Sequence, residues 1–104
     1  MVITEMMKIF KVTGSIDKDG FRGRVVEIEV TESNKSYHGE GRLIRKHKIM
    51  LIDTVFLENH TSLRYFTYCL EGDQQKALDM LKAHIIEKVK KYKSEIDKLY
   101  SYIL

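Results

Sequence analysis

The chain has one cysteine, no proline and no tryptophan among its 104 residues. The single cysteine, Cys69, cannot form an intrachain disulfide, which favours a reducing, cytoplasmic location. Without proline, the chain has no proline-rich linker and no proline that would interrupt a helix. No apolar run is long enough to span a bilayer, and no charged segment followed by an apolar stretch opens the sequence. A cytoplasmic protein without a membrane segment is expected.

The overall composition is that of a globular protein, with 43% hydrophobic and 32% charged residues. A mass of 12.2 kDa fits one domain, residues 1–104, with a modest core. The net charge of +3 is weak evidence for a polyanionic partner unless the basic residues cluster.

The most distinctive segment is Ile49 to Leu57, which is apolar on both alternating faces and is interrupted by Asp53. A strand with one face in water alternates apolar and polar residues, so this pattern predicts a central strand covered on both sides. The chain offers a single helical pattern, and one helix covers one face of a sheet. The sequence therefore predicts an oligomer or a partner that covers the other face.

Periodicity predicts two hairpins followed by a helix. The predicted strands are about 6–16, 21–31, 43–57 and 62–71, and the predicted helix is about 73–103. The fold class is α+β, a four-stranded antiparallel β-meander with one long C-terminal helix packed on one face. The register of the second hairpin is open, because a two-residue turn places Asp53 diagonal to Arg64 and a three-residue turn places it opposite Thr67.

The predicted helix carries a continuous apolar stripe at spacings of three and four residues. At about 30 residues the helix is roughly 45 Å long. Because the sheet is shorter than this, the last two turns, around Leu99 to Leu104, are expected to overhang it. We expect a homodimer, the commonest small oligomer. The expected interface residues are Tyr92, Ile96, Leu99, Tyr100 and Ile103.

Basic residues cluster after a loop rich in turn formers, Glu32 to Gly41, and two arginines near the start of the second strand are expected to join them. The candidate residues for binding a protein partner or a nucleic acid are Arg22, Arg24, Tyr37, His38, Arg42, Arg45, Lys46 and Lys48. A positive edge with an aromatic residue suits single-stranded nucleic acid. Alternatively, these charges only protect an exposed strand end from aggregation.

No catalytic motif, cofactor site or metal site is expected. No two of the four histidines are three or four residues apart, which is the spacing for helical metal ligands. Cys69 resembles a small buried hydrophobic residue rather than a nucleophile. Asp53 is unusual in an apolar run, and an ion pair with Arg64 or a solvated position explains it better than catalysis.

Three functions remain open. The first is a non-enzymatic, oligomeric binding or regulatory protein that acts stoichiometrically on a protein partner, as do many phage and mobile-element inhibitors of host systems. The alternative is a single-stranded DNA- or RNA-binding protein that uses the basic strand edge. The third is a small enzyme with its site at a subunit interface, around Asp53 and either Tyr65 or Tyr68.

Overall fold

The structure, a computed structural model, describes residues 5–55 and 62–103. Its elements are β1 Met6–Asp17, β2 Gly20–Glu32, β3 Ser36–Gly39, β4 Arg42–Arg45, a 3₁₀ turn Lys46–Lys48, β5 Asp53–Thr54, β6 Leu63–Leu70 and α1 Gln74–Ile103. The α+β class, the antiparallel sheet and the single long C-terminal helix predicted from the sequence are confirmed.

The sheet has six strands in the order β4-β3-β2-β1-β6-β5. The prediction of four strands in chain order was therefore wrong in number and arrangement. β6 returns to pair with β1, with Ile9 opposite Leu70 and Ile16 opposite Leu63. Because β1, β2 and β6 are the long strands, they form the centre, and the two- to four-residue strands β3, β4 and β5 lie outside them.

The hairpin between β1 and β2 forms as the sequence predicts. Asp17 lies opposite Gly20, and the pairing continues to Met6 opposite Thr31. Gly20 has a φ of 104°, in the left-handed region where glycine is tolerated without strain. The turn is fastened by the Asp19 backbone N–H, which donates to Asp17 Oδ1 at 2.8 Å.

The main core lies between α1 and the centre of the sheet. Its buried residues are Phe10, Val12, Tyr65, Cys69, Ala77, Leu81 and Ile85. Alternate residues of paired strands share a face, so the pairing of β1 with β6 places their apolar residues side by side under the helix. The helix approaches closely at Gly14, where an added Cβ would lie 3.0 Å from Leu81 Cβ.

A second core lies on the other face of the sheet. Its buried residues are Ile9, Ile28, Val30, Tyr37 and Ile44. Ile49 and Tyr68 are partly buried against it. The sheet curls into a half-barrel, so that the hairpin of β3 and β4 covers this part of the face. The chain thereby covers part of the second face itself, and the cover of the remainder by a partner or a second copy stays a prediction.

The predicted strand 43–57 is interrupted. After β4 the chain makes the 3₁₀ turn, and Met50 adopts a left-handed φ of 60°. The apolar residues of this segment join different cores, because Met50 and Ile52 pack against the main core whereas Ile49 packs against the second. Both faces are apolar for that reason, and not because the segment is a central strand.

Between the 3₁₀ turn and residue 55, the last described residue before the gap, only Asp53 and Thr54 are paired as a strand, at the edge of the sheet, with Asp53 opposite Phe66. This register is the alternative that places Asp53 diagonal to Arg64. The turn predicted near Asn59 and His60 lies outside the described residues.

The helix begins after Asp73, whose carbonyl oxygen accepts the backbone N–H of Ala77 at 2.9 Å. It follows β6 directly and packs on β1 and β6, with little contact to β2. Its last buried residue is Ile85. The overhang is therefore much longer than the two turns predicted, and the molecule measures 72 × 23 × 21 Å.

Candidate binding surfaces

Most of the exposed large apolar side chains among the described residues lie on the overhanging half of α1. We define the C-terminal stripe as Val89, Tyr92, Ile96, Leu99 and Ile103. Ile85 is 1% exposed, whereas the stripe rises from 43% exposed at Val89 to 78% at Ile103. Together with Ile85, these residues follow spacings of four, three, four, three and four, which is the repeat of a coiled-coil seam.

The direction of the stripe follows from helix geometry. Ile85 and Ile103 are separated by about five turns of 3.6 residues, so they project in the same direction. Ile85 is part of the core against the sheet. The C-terminal stripe therefore faces the side of the helix on which the sheet lies, beyond the point where the sheet ends.

The residues predicted as an oligomer interface are all on this overhang and all exposed. Tyr92 is 44% exposed and Tyr100 59%. Tyr100 lies about 60° to one side of the Ile85 direction, at the margin of the stripe. The interface predicted from the sequence did not include Val89, although the spacing of Val89 fits the stripe.

A second surface is the part of the sheet that neither α1 nor the β3–β4 hairpin covers. We define the open face by its side chains. They are Lys11, Thr13 and Ser15 of β1, Arg22, Arg24 and Val26 of β2, and Arg64, Phe66 and Tyr68 of β6. The register places these residues in cross-strand rows, such as Arg24–Thr13–Phe66 and Arg22–Ser15–Arg64.

Aromatic and basic side chains touch each other on the open face. The Phe66 and Tyr68 rings meet edge to face with centroids 5.7 Å apart. The Lys11 Nζ lies 4.6 Å from the centroid of the Phe66 ring. A cation over an aromatic ring is held by the ring quadrupole, which here keeps a positive charge beside the two rings.

A cleft of about 200 Å³ adjoins the open face. Its lining includes Leu43, Arg45, Lys48, Leu51, Phe66 and Tyr68. Residues from β4 thus face residues from β6, at opposite sides of the sheet order, because the sheet curls. Asp53 also lines the cleft and is 3.5 Å from the Lys48 Nζ. The expected Asp53–Arg64 ion pair is replaced by this contact.

The predicted basic cluster is divided by the fold. Arg22 and Arg24 lie on the open face, and Arg45 and Lys48 line the cleft. Arg42 is exposed on the outer strand β4. The other members, Tyr37, His38 and Lys46, make contacts elsewhere in the fold.

Tyr37 is buried in the second core and offers no ring for stacking at a strand edge. Lys46 Nζ contacts Glu32 Oε1 and lies 5.5 Å from the Tyr37 ring. The His38 Nε2 is 3.1 Å from the Ser33 Oγ. The predicted edge is therefore not one continuous positive surface.

Sequence reasoning did not select Lys11, Arg64 or Phe66. Period-two alternation in β1 and β6 was the available signal, since each strand alternates buried and less buried residues. These residues share one face only because β1 pairs with β6, and the two strands are far apart in the sequence.

Two titratable groups with shifted pKa values, Tyr65 and His84, lie against each other. Burial raises the pKa of Tyr65, and nearby Tyr92 adds to this. Burial, and then Lys88, lowers the pKa of His84. The two rings meet edge to face with centroids 4.6 Å apart between the helix and the sheet. Both groups are thereby kept neutral, as befits a packing contact.

Cys69 is buried in the main core, and burial followed by Asp73 raises the pKa of its thiol. A thiol held protonated is a poor nucleophile. Of the residues suggested for an interfacial enzyme site, Asp53 and Tyr68 line the same cleft, whereas Tyr65 is buried under α1 on the other face of the sheet. Asp53 is exposed beside Lys48.

Within residues 5–55 and 62–103, no group of three or more metal-ligating side chains comes together. In the same part of the chain, no helix has the length and apolar character needed to cross a bilayer. Comparison of the chain with protein-family models, with curated proteins and with solved structures gives no match. The C-terminal stripe and the open face are the features of the described chain that bear on its function.

Proposed function

We propose that this is a non-enzymatic, protein-binding protein whose first partner is a second copy of its own chain. The single observation that carries the proposal is the exposed C-terminal stripe. Large apolar surfaces in contiguous patches are uncommon on monomers and mark interaction sites. A stripe with coiled-coil spacing is matched best by an identical stripe, since each side chain then meets a partner of the same repeat.

The helix itself also favours a partner. In proteins, packing of an apolar face supplies most of the stability of a helix, and helix propensity supplies less. From Ile86 to Ile103 the helix extends roughly 27 Å, and its large apolar residues there are 43% to 78% exposed. A second helix on the stripe supplies the packing that the sheet does not.

The geometry favours antiparallel association. The stripe faces the side of α1 on which the sheet lies, so two parallel helices would bring both sheets into the same space. Antiparallel helices keep the sheets at opposite ends. In the register that pairs the exposed stripes, Val89 of one protomer lies beside Leu99 of the other, and Tyr92 beside Ile96.

The expected affinity is modest. The stripe spans about two heptads, fewer than the three or four that specify a coiled coil on sequence alone. Covering the exposed part of five side chains per protomer contributes roughly 1 kcal/mol each, or about 10 kcal/mol for the dimer. At the lower end of the association cost, about 4 kcal/mol, about 6 kcal/mol remains, and we expect a dissociation constant on the order of 10–100 µM.

Sedimentation equilibrium over roughly 1–500 µM, a range that brackets this dissociation constant, tests the proposal. The weight-average mass should rise from 12.2 kDa toward twice that value. Ile96→Lys should weaken association at least tenfold, because it places a charge in the middle of the seam. Ser94→Lys is the matched control, since Ser94 lies about 180° from the Ile85 direction and adds the same charge.

A mass that stays at 12.2 kDa over the whole range would refute the dimer. Equal disruption by Ile96→Lys and Ser94→Lys would show that charge, and not the stripe, controls association.

Orientation is tested with single cysteine substitutions. Val89→Cys mixed with Leu99→Cys should form a disulfide-linked dimer, whereas each variant alone should form little, because a disulfide needs Cα atoms within about 7 Å. The reverse result, self-linking of each variant alone, would indicate parallel helices in register. The native Cys69 is buried and stays in place in all samples.

A further inference from the structure

We infer that the open face binds single-stranded nucleic acid, with Lys11, Arg24 and Arg64 contacting phosphates and Phe66 and Tyr68 offering their rings to bases. This site is separate from the C-terminal stripe and does not depend on dimerisation. It also differs from the strand edge predicted from the sequence, since most of its residues lie in the centre of the sheet.

The basic side chains of the open face are the first observation in favour of nucleic-acid binding. Arg22 and Arg64 both pair across from Ser15, so their backbones are about 10 Å apart, two strand spacings. Arg24 is one row further along β2. Among the described residues, neither Arg24 nor Arg64 has a carboxylate partner, whereas Arg22 is paired with exposed Asp19 at 3.3 Å. Two unpaired arginines and Lys11 therefore form a positive surface across three strands.

The aromatic rings of Phe66 and Tyr68 are the second observation in favour of nucleic-acid binding. Phe66 and Tyr68 are half-buried, so their edges are fixed while part of each ring remains accessible. Lys11 covers one side of Phe66. Its flexible stem allows the ammonium to move from the ring to a phosphate, which exposes the ring for stacking. Aromatic side chains between cations are the usual platform for single strands.

The volume and the lining of the cleft are the third observation in favour of nucleic-acid binding. A volume of about 200 Å³ lies below the roughly 300–1,000 Å³ typical of ligand pockets, so it suits a single planar ring better than a whole cofactor. Phe66 and Tyr68 line it, and Arg45 and Lys48 are also present. A base enters such a cleft only when it is unstacked, as bases in single strands are.

Fluorescence anisotropy with labelled oligonucleotides of about 12 nucleotides tests the inference, a length in the range one small binding face covers. The probes are oligo-dT, oligo-rU and a DNA duplex, with heparin as a polyanion without bases. The single strands should bind more tightly than the duplex and heparin. With three to four phosphate contacts, affinity should fall roughly 15- to 60-fold between 50 and 200 mM salt. The dT and rU arms show whether the site prefers DNA or RNA.

Charge and stacking are tested separately. Arg24→Glu should weaken binding at least tenfold, whereas Lys91→Glu, the same charge change on the exposed overhang of α1, should change it less than twofold. Phe66→Leu keeps an apolar side chain but removes the ring, and should weaken binding roughly 5- to 100-fold. Circular dichroism and thermal melting confirm that each variant is folded.

Several results would overturn the inference. These are no binding of single strands at low salt, equal binding of heparin or duplex, equal losses in Arg24→Glu and Lys91→Glu, or full binding by folded Phe66→Leu. Ile96→Lys and Ser94→Lys carry the same charge and should bind a short single strand equally, even if only one of them dimerises. Failure of the dimer is thereby distinguished from failure of this site.

Discussion

The two halves of α1 have the same apolar periodicity and opposite environments. In the first half, Leu81 is 0% and Ile85 1% exposed, whereas in the second half Ile96 is 52% and Leu99 61% exposed. The pattern therefore identifies which side of a helix is apolar but not what covers that side. The sheet covers the first half, and a second copy of the chain is our proposal for the other.

The sharpest way to separate the halves is to remove one of them. A chain that ends at Lys93 keeps Tyr92, which lies near Tyr65, and loses Ile96, Leu99 and Ile103. We expect complete loss of association with a retained cooperative unfolding transition, because the main core ends at Ile85. Sedimentation equilibrium and urea denaturation measure the two properties. Loss of the unfolding transition would show that the overhang supports the fold of the monomer.

The same leucine-to-alanine change should give different results in the two halves. Leu81→Ala leaves a cavity in the main core and should lower the free energy of unfolding by about 2–5 kcal/mol. Leu99→Ala should lower it by less than about 0.5 kcal/mol in the dilute monomer, as is usual for exposed positions. Urea denaturation at about 1 µM, well below the expected dissociation constant, checks both.

In that pair of variants, similar losses at Leu81 and Leu99 would contradict the division of the helix at Ile85. A loss at Leu99 that appears only at high protein concentration would instead support the dimer.

The close approach of the first half to the sheet offers a smaller test. An added Cβ at Gly14 would meet Leu81 Cβ at 3.0 Å, so the helix has to shift to accommodate it. Gly14→Ala should lower the free energy of unfolding by about 1–3 kcal/mol, the usual cost of overpacking. Ser15→Ala is the control, because Ser15 lies on the open face. Denaturation that shows equal losses for the two variants would contradict the close contact.

Much of the local structure was predictable from the sequence. Alternation and the Asp19–Gly20 turn predicted the first hairpin, and the stripe predicted a helix from about residue 73, close to its observed start at Gln74. These features depend on neighbours in the chain. The pairing of β6 with β1 joins residues 47 to 61 positions apart in the sequence, and strand patterns do not specify it.

The segment after β4 shows why the sequence predicted one continuous strand over 43–57. Its apolar residues satisfied the pattern of a strand buried on both sides, but Met50 turns the chain with a φ of 60°. Ile49 and Ile52 consequently reach different cores. A non-glycine residue in a left-handed conformation has little sequence signal, so the interruption of the predicted strand was not predictable from its pattern. The helical stripe, by contrast, was predictable from the sequence because all of its residues lie on a single helix.

The junction of the two halves provides the smallest expected effect. His84 lies there against Tyr65, and burial, followed by Lys88, lowers its pKa from the usual 6.5. In the pH range between that usual value and the lowered one, the unfolded chain binds more protons than the folded one, so the free energy of unfolding falls as the pH falls through this range. Above about pH 6.5 the contribution is fully present.

His84→Phe keeps a ring against Tyr65 and removes the titration, so the variant should lose less stability than the wild type between about pH 7 and pH 5.5. Urea denaturation at several pH values in this range measures the difference in slope. Tyr65, whose pKa is raised, stays protonated throughout and does not contribute. Parallel pH profiles for the two proteins would mean that the pKa of His84 is the same in the folded and the unfolded chain, and that its contact with Tyr65 does not affect its titration.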